Sequence, residues 1–131
     1  MKLPFNKFTL LALAWLAAGI YALLFKESGN EPPPFAHFDK VAHCALFFAQ
    51  IWLLAKAWLH ERRPVPYRSL LAFALVYAAA SEWAQATFTL TRQGSLGDLA
   101  ADMAGAGLAL WLAHRVSIQR NIPTTLTPSD S

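Results

Sequence analysis

The chain has 131 residues, of which 56% are hydrophobic and 15% are charged, and its formal net charge is +3. This composition excludes an ordinary soluble domain, in which about a quarter of the residues are charged. It does not indicate nucleic-acid binding either, because the basic residues flank apolar runs and form no stripe with interleaved aromatic residues. The single cysteine, Cys44, excludes an intrachain disulfide and a cysteine-based zinc site. The length and the apolar composition predict one domain embedded in a lipid bilayer.

The first apolar run, about 8–25, predicts a helix that crosses the membrane. It follows Lys2 and Lys7 and therefore resembles the start of a signal peptide. Its apolar residues continue beyond the small residues 17–19, the plausible cleavage point, so we expect an uncleaved helix. The prolines at 32–34 then predict a loop over 26–38, because proline removes amide donors and favours extended backbone.

The second apolar run, about 41–59, and the third, about 69–90, predict an antiparallel pair of membrane helices. The segment between them, 60–68, is basic and contains two prolines that separate the helices. Lys56 lies near the far end of the second run, where its long side chain can reach the membrane surface.

The fourth apolar run, about 98–116, is short and rich in alanine and glycine. Small residues let helix backbones approach closely, so we expect this helix at the centre of the bundle. Residues 121–131 are expected to form a disordered cytoplasmic tail, which leaves 1–120 as the membrane domain. The sequence thus predicts an all-α fold, a bundle of four transmembrane helices.

The orientation of the bundle follows from the basic residues, because cytoplasmic loops keep an excess of lysine and arginine. With the amino terminus inside, the basic residues of the cytoplasmic side are Lys2, Lys7, Arg62, Arg63, Arg68, Arg115 and Arg120. Those of the outer side are Lys26, Lys40 and Arg92. Both termini are therefore predicted to be cytoplasmic.

Polar side chains stand near one end of three predicted spans, and they are Asp39, His43, Glu82, Gln85, Asp98 and Asp102. At about 1.5 Å rise per residue, they reach similar depth on the outer side. Within each helix the two residues are three or four positions apart and share a face. A charge near the centre of a membrane helix costs about 2.5–3.5 kcal/mol, which turns these faces inward. We predict a single polar pocket that faces outward.

Structural interpretations of the capping and amide residues remain open. Asp39 could simply cap the second helix, and 95–98 matches the capping-box pattern that ends at Asp98. Gln85 could link two helices by a hydrogen bond. Arg92 could anchor the outer turn at the headgroup level, or it could be the counter-ion of the acidic residues.

The residues predicted to lie deeper in the membrane could also have purely structural roles. His43 could be a neutral core histidine that is bonded to a neighbouring helix. Glu82 lies one or two turns inside the apolar layer and requires a cationic side chain, a metal or a proton. Asp102 and Asp98 repel each other, so the pair is expected to hold a proton or a cation, although Asp102 could instead be bonded to a structural donor.

These residues occur in an ordered pattern: Asp39-x-x-x-His43 opens one span, Glu82-x-x-Gln85 closes the next, Arg92 lies in the turn, and Ser95-x-x-Asp98 and Gly105 follow. In this order and spacing, the segment from about residue 39 to about residue 107 resembles the VanZ-like family of small bacterial membrane proteins. Asp102 departs from the family pattern, which usually has asparagine there, so the pocket is more acidic in this chain. The resemblance implies a multi-pass protein of the bacterial inner membrane. The resemblance implies no established reaction. The family is named for a teicoplanin-resistance protein. An effect of this chain on glycopeptide susceptibility would be an extrapolation from that name.

Three functions remain open, and we favour a non-enzymatic envelope protein that binds a lipid-linked or headgroup ligand in the pocket. Arg92 could contact a phosphate or carboxylate, while the acidic residues accept hydrogen bonds or hold a cation. The alternative is a metal-assisted hydrolase or transferase of a phosphate-containing lipid, with His43, Glu82, Asp98 and Asp102 as candidate ligands of a hard cation such as Mg²⁺. The chain has no HExxH, nucleophile elbow or phosphate-binding loop. The third possible function is that of a structural or proton-coupled helix bundle.

Overall fold

The computed structural model describes residues 3–24, 38–88 and 96–120, except for the side chains at 23, 24, 38, 39, 85, 86, 88 and 96. The described residues form four α-helices and no β-strand, which confirms the all-α prediction. The helices are α1 (Lys7–Leu24), α2 (Phe38–His60), α3 (Tyr67–Phe88) and α4 (Leu96–Gln119). Each predicted helix end lies within three residues of the observed one. The predicted tail and most of the loop after α1 lie outside the described residues.

The first helix begins at a capping asparagine that also fastens it to α2. The backbone amide of Phe8 donates to Asn6 Oδ1 at 3.0 Å, which satisfies one of the amides left unpaired at a helix start. The Asn6 side-chain amide donates to the Ala57 carbonyl and to Glu61 Oε2, both at 2.9 Å. Further along α1, Gln50 of α2 donates to the carbonyl of Ala12 at 3.2 Å. The start of α1 therefore lies beside the end of α2, and the two helices are antiparallel.

A left-handed residue ends α2 in the basic segment between α2 and α3. Arg62 has φ 54°, its amide donates to the Leu59 carbonyl, and the Arg63 amide donates to the Trp58 carbonyl, both at 3.0 Å. This pattern is the Schellman motif, in which glycine is the usual left-handed residue. The Arg62 side chain donates to the carbonyl of Arg120 at 2.6 Å and so joins the ends of α2 and α4.

Helices α2 and α4 run parallel, and α3 runs antiparallel to both. Lys40 of α2 contacts Asp98 of α4, and His43, further along α2, contacts Asp102, further along α4. We call the end where α2 and α4 begin and α3 ends the acidic end, and the opposite end, where α3 begins, the basic end. Along the chain, the helices therefore alternate in direction.

The most central helix is α2, and the prediction that α4 occupies the centre is wrong. Helices α2 and α3 each contact the other three helices, whereas α4 contacts α2 and α3 but not α1 among the described residues. Of these helices, α2 has the most extensive contacts, most of all with α4. The small residues of α4 are not equivalent in their surroundings. A Cβ on Gly105 would meet the α2 backbone, but one on Gly107 would have nothing within 4 Å.

The core is built from large side chains of α2 that pack on alanines of α3 and α4. Phe47, Ile51, Ala55 and Leu59 recur at every fourth position of α2 and are all 0% exposed. The buried alanines around them include Ala74, Ala78, Ala106, Ala109 and Ala113. The small side chains leave room for the large ones of α2 in the core.

One helix among the described residues is long and apolar enough to cross a membrane: the 21-residue segment Lys40–His60 of α2. Helix α1 contributes a shorter apolar stretch, Lys7–Ala22. Helices α3 and α4 contain much alanine and several polar residues, which lowers their average apolarity. The prediction of four helices is therefore confirmed, whereas their assignment as four membrane spans remains a prediction.

Candidate functional site

A buried hydrogen bond between α2 and α4 lies at the centre of the candidate site. His43 Nδ1 and Asp102 Oδ1 are 2.8 Å apart and form a hydrogen bond, in which the imidazole N–H is the donor when Asp102 is ionised, because a carboxylate can only accept. His43 is 4% exposed and Asp102 is 0% exposed. A hydrogen bond to a charged group in such a dry position is worth about 1.5–3 kcal/mol.

The close approach of α2 and α4 at this point depends on Gly105. A Cβ at this position would overlap the carbonyl oxygen of Cys44 and lie 2.9 Å from its carbonyl carbon and 3.0 Å from the Phe48 nitrogen. Cys44 follows His43 directly, and Gly105 lies one helical turn after Asp102. The two backbones therefore touch just beneath the hydrogen-bonded pair, which sets the distance between its side chains.

Two further carboxylates face the imidazole ring. Glu82 Oε1 of α3 is 3.9 Å from His43 Nδ1, and Asp98 Oδ2 of α4 is 4.0 Å from His43 Nε2. Lys40 Nζ lies 3.5 Å from Asp98 Oδ1, and its side chain is 39% exposed, so it marks the open side of the site. We refer to His43, Glu82, Asp98 and Asp102 as the His43 cluster.

The carboxylate of Asp102 has one oxygen with no hydrogen bond to the described part of the chain. Asp102 Oδ2 is buried and has no hydrogen-bond partner among the described residues, although Asp102 Oδ1 is bonded to His43. A buried polar atom without a partner costs about 1–3 kcal/mol, so native proteins rarely keep one without a reason. The free oxygen can accept a hydrogen bond from a ligand or bind a cation.

Three members of the cluster could hold a metal ion. His43, Glu82 and Asp102 each offer one donor atom, and these atoms all lie within 4.8 Å of one another. Asp98, the fourth candidate ligand from the sequence, instead faces the other nitrogen of the imidazole ring. It is therefore placed to orient the ring.

The structure thus brings together four of the seven side chains of the predicted pocket. The side chains of Asp39 and Gln85 and the whole of Arg92 lie outside the described residues, so their roles stay predictions. Ligand binding by the His43 cluster also stays a prediction.

Sequence reasoning missed two side chains near the site. Lys40 was counted only as a basic residue of the outer side, although it lies three positions before His43 and therefore on a neighbouring face of the helix. Tyr77 has a buried hydroxyl without a hydrogen-bond partner among the described residues and lies within electrostatic range of Asp102. No sequence signal distinguishes Tyr77 from an ordinary core aromatic residue.

No protein-family model, curated protein or solved structure matches the chain significantly. The resemblance to the VanZ-like family therefore depends on the residue pattern alone.

Proposed function

We propose that this chain is a VanZ-like multi-pass protein of the bacterial inner membrane that binds the headgroup of an envelope lipid in an outward-facing pocket around the His43 cluster. The observation that carries the proposal is the buried, incompletely bonded carboxylate of Asp102 beside His43, near the acidic end of an apolar bundle. The role is binding rather than catalysis.

The membrane setting is supported by large apolar side chains that point away from the bundle on every helix. A soluble monomer rarely exposes so many large apolar side chains. The exposed side chains include Leu10, Leu13 and Tyr21 of α1, Val41 of α2, Leu75, Val76 and Trp83 of α3, and Leu108, Trp111 and Ile118 of α4. The four helices have 18, 23, 22 and 24 residues, or roughly 27–36 Å at 1.5 Å per residue, against a hydrocarbon layer of about 30 Å.

The outward orientation is supported by the distribution of positive charge between the two ends. The basic end contains Lys7, Arg62, Arg63, Arg68, Arg115 and Arg120 among the described residues, whereas Lys40 is the described basic residue of the acidic end. Lys56 also approaches the basic end, where its ammonium lies 5.1 Å from the centre of the Phe8 ring. The basic end is the cytoplasmic one by the positive-inside rule, so the His43 cluster faces outward.

The chemistry of the ligand follows from the acceptors in the pocket. Glu82, Asp98 and Asp102 offer carboxylate oxygens, and Asp98 already has Lys40 as a partner. Such a site suits a headgroup that presents N–H or O–H donors, or one that reaches the carboxylates through a cation. The apolar outer surface would let a lipid keep its acyl chains in the bilayer while its headgroup enters the pocket.

The proposal is tested by the lipids that remain with the protein after purification in a mild detergent. Mass spectrometry should find one lipid class enriched over the membrane extract of the expression host in the wild type, and that enrichment should disappear in Asp102→Asn and Glu82→Gln. Glu61→Gln makes the same substitution at the basic end and should keep the lipid. Equal lipid composition in all four proteins would contradict the proposal, provided that size-exclusion profiles show that each is folded.

A further inference from the structure

We infer that His43, Glu82 and Asp102 bind a divalent transition-metal cation, such as Zn²⁺ or Mn²⁺. The inference deepens the proposed function, because the metal would occupy the same pocket. Three different helices supply the ligands, so the metal would also join α2, α3 and α4 at the acidic end.

The donor atoms already stand close to the spacing that such a cation needs. His43 Nδ1 is 2.8 Å from Asp102 Oδ1 and 3.9 Å from Glu82 Oε1. With metal–ligand bonds of about 2.0–2.2 Å, neighbouring donors around a tetrahedral cation are about 3.4 Å apart. The two observed distances lie on either side of this value. The three donor atoms all lie within 4.8 Å of one another. Changes of up to about 1.4 Å in the distances between these atoms would therefore bring them to the tetrahedral spacing.

The donor set selects the class of metal. Mg²⁺ and Ca²⁺ take oxygen ligands, whereas imidazole suits Zn²⁺ and other first-row transition metals. His43 offers one of the three donor atoms that lie within 4.8 Å of one another, so the site contains an imidazole as well as two carboxylates. The imidazole therefore favours Zn²⁺, and the two carboxylates also suit Mn²⁺, in place of the Mg²⁺ that the sequence suggested as one possible cation.

The far side of the imidazole ring provides an independent argument. When Nδ1 binds a metal, the neutral ring carries its proton on Nε2, and that nitrogen faces Asp98 Oδ2 at 4.0 Å. Histidine ligands of metals commonly present their second nitrogen to a carboxylate, which fixes the ring orientation. Asp98 is itself held by Lys40 at 3.5 Å. A simple ion pair between His43 and Asp102 does not need this second carboxylate.

The free oxygen of Asp102 supplies a further independent argument. Asp102 Oδ2 is buried without a hydrogen-bond partner among the described residues, although the residue is 0% exposed. A metal that this carboxylate binds through both of its oxygens would remove the deficit at Oδ2. A divalent cation would also balance the charges of Glu82 and Asp102, while Lys40 balances Asp98.

The test is metal binding by the full chain in detergent after treatment with a chelator. Isothermal titration with ZnCl₂ or MnCl₂ should show one site in the wild type, and a large excess of MgCl₂ should not displace the bound metal. Glu82→Gln and Asp102→Asn should each weaken binding at least about tenfold. Asp98→Asn, which alters only the support of the imidazole ring, should weaken it by roughly tenfold to 100-fold. Glu61→Gln should bind as the wild type does.

A second measurement needs no variant. Electron spin-echo spectroscopy of bound Mn²⁺ should show coupling to an imidazole nitrogen. Absence of stoichiometric binding in the wild type, absence of nitrogen coupling, or equal affinity in Glu82→Gln and Glu61→Gln would overturn the metal assignment. Lipid enrichment that survives complete removal of the metal would leave the proposed function intact, so the two ideas can fail separately.

Discussion

Adding one methyl group at Gly105 should separate α2 from α4 and break the His43–Asp102 hydrogen bond. In Gly105→Ala, the new Cβ would lie 2.9 Å from the Cys44 carbonyl carbon, whereas ordinary contacts of a Cβ are 3.4–4 Å. Because the obstacle is backbone, the helices must move apart by about half an ångström or more. Overpacking of this kind costs about 1–3 kcal/mol.

The lost hydrogen bond increases the expected effect of Gly105→Ala. The His43–Asp102 distance of 2.8 Å would exceed the usual hydrogen-bond range after such a separation, at a further cost of about 1.5–3 kcal/mol. We therefore expect a total destabilisation of about 3 kcal/mol or more, together with weaker metal binding.

The control for this experiment is the neighbouring glycine. A Cβ at Gly107 has nothing within 4 Å, so Gly107→Ala should be neutral or should stabilise α4 by up to about 1 kcal/mol, the difference in helix propensity. Unfolding of both variants in detergent can be followed by circular dichroism. Equal stability of Gly105→Ala and Gly107→Ala would refute the reasoning that the close crossing creates the site.

Three further predictions concern the ends of the helices. Asn6→Ala should destabilise the bundle by about 1–2 kcal/mol, because it removes the cap of α1 and both hydrogen bonds to α2. Asn6→Asp keeps only the cap, so its stability should lie between those of the wild type and Asn6→Ala, and chemical unfolding of the three proteins checks this order. Arg62→Gly should raise thermal stability by about 0.5–1 kcal/mol, since glycine adopts φ 54° without strain; a lower melting temperature would show that the bond to Arg120 matters more. Lys40→Ala should change stability by less than about 1 kcal/mol, because its ion pair with Asp98 is long and half-exposed; a larger loss in the same assay would contradict this.

The helices were predictable because their boundaries are strong local signals. Apolar runs end at prolines, as in the segment before α3, and each run corresponds to one helix. The meeting of His43, Glu82, Asp98 and Asp102 was predictable for a similar reason. In helices that alternate in direction, residues at equal depth on inward faces must come close together.

Other features depend on helix rotation, which composition does not determine. Gly105 and Gly107 look alike in the sequence, yet only Gly105 faces α2, so the abundance of small residues suggested a central α4 when α2 is central. The placement of Asp98 behind the imidazole ring, apart from the three potential metal ligands, depends on a side-chain orientation that no sequence pattern encodes.

The central claim is that the His43 cluster lies at the outer end of a membrane-spanning bundle, and labelling of single cysteines in intact cells tests it most directly. In a Cys44→Ser background, Lys40→Cys probes the open side of the cluster and Arg63→Cys probes the basic end. A membrane-impermeant maleimide should label position 40 in intact cells and position 63 only after the membrane is permeabilised. Labelling of both positions from the same side, or of position 63 alone in intact cells, would contradict the account.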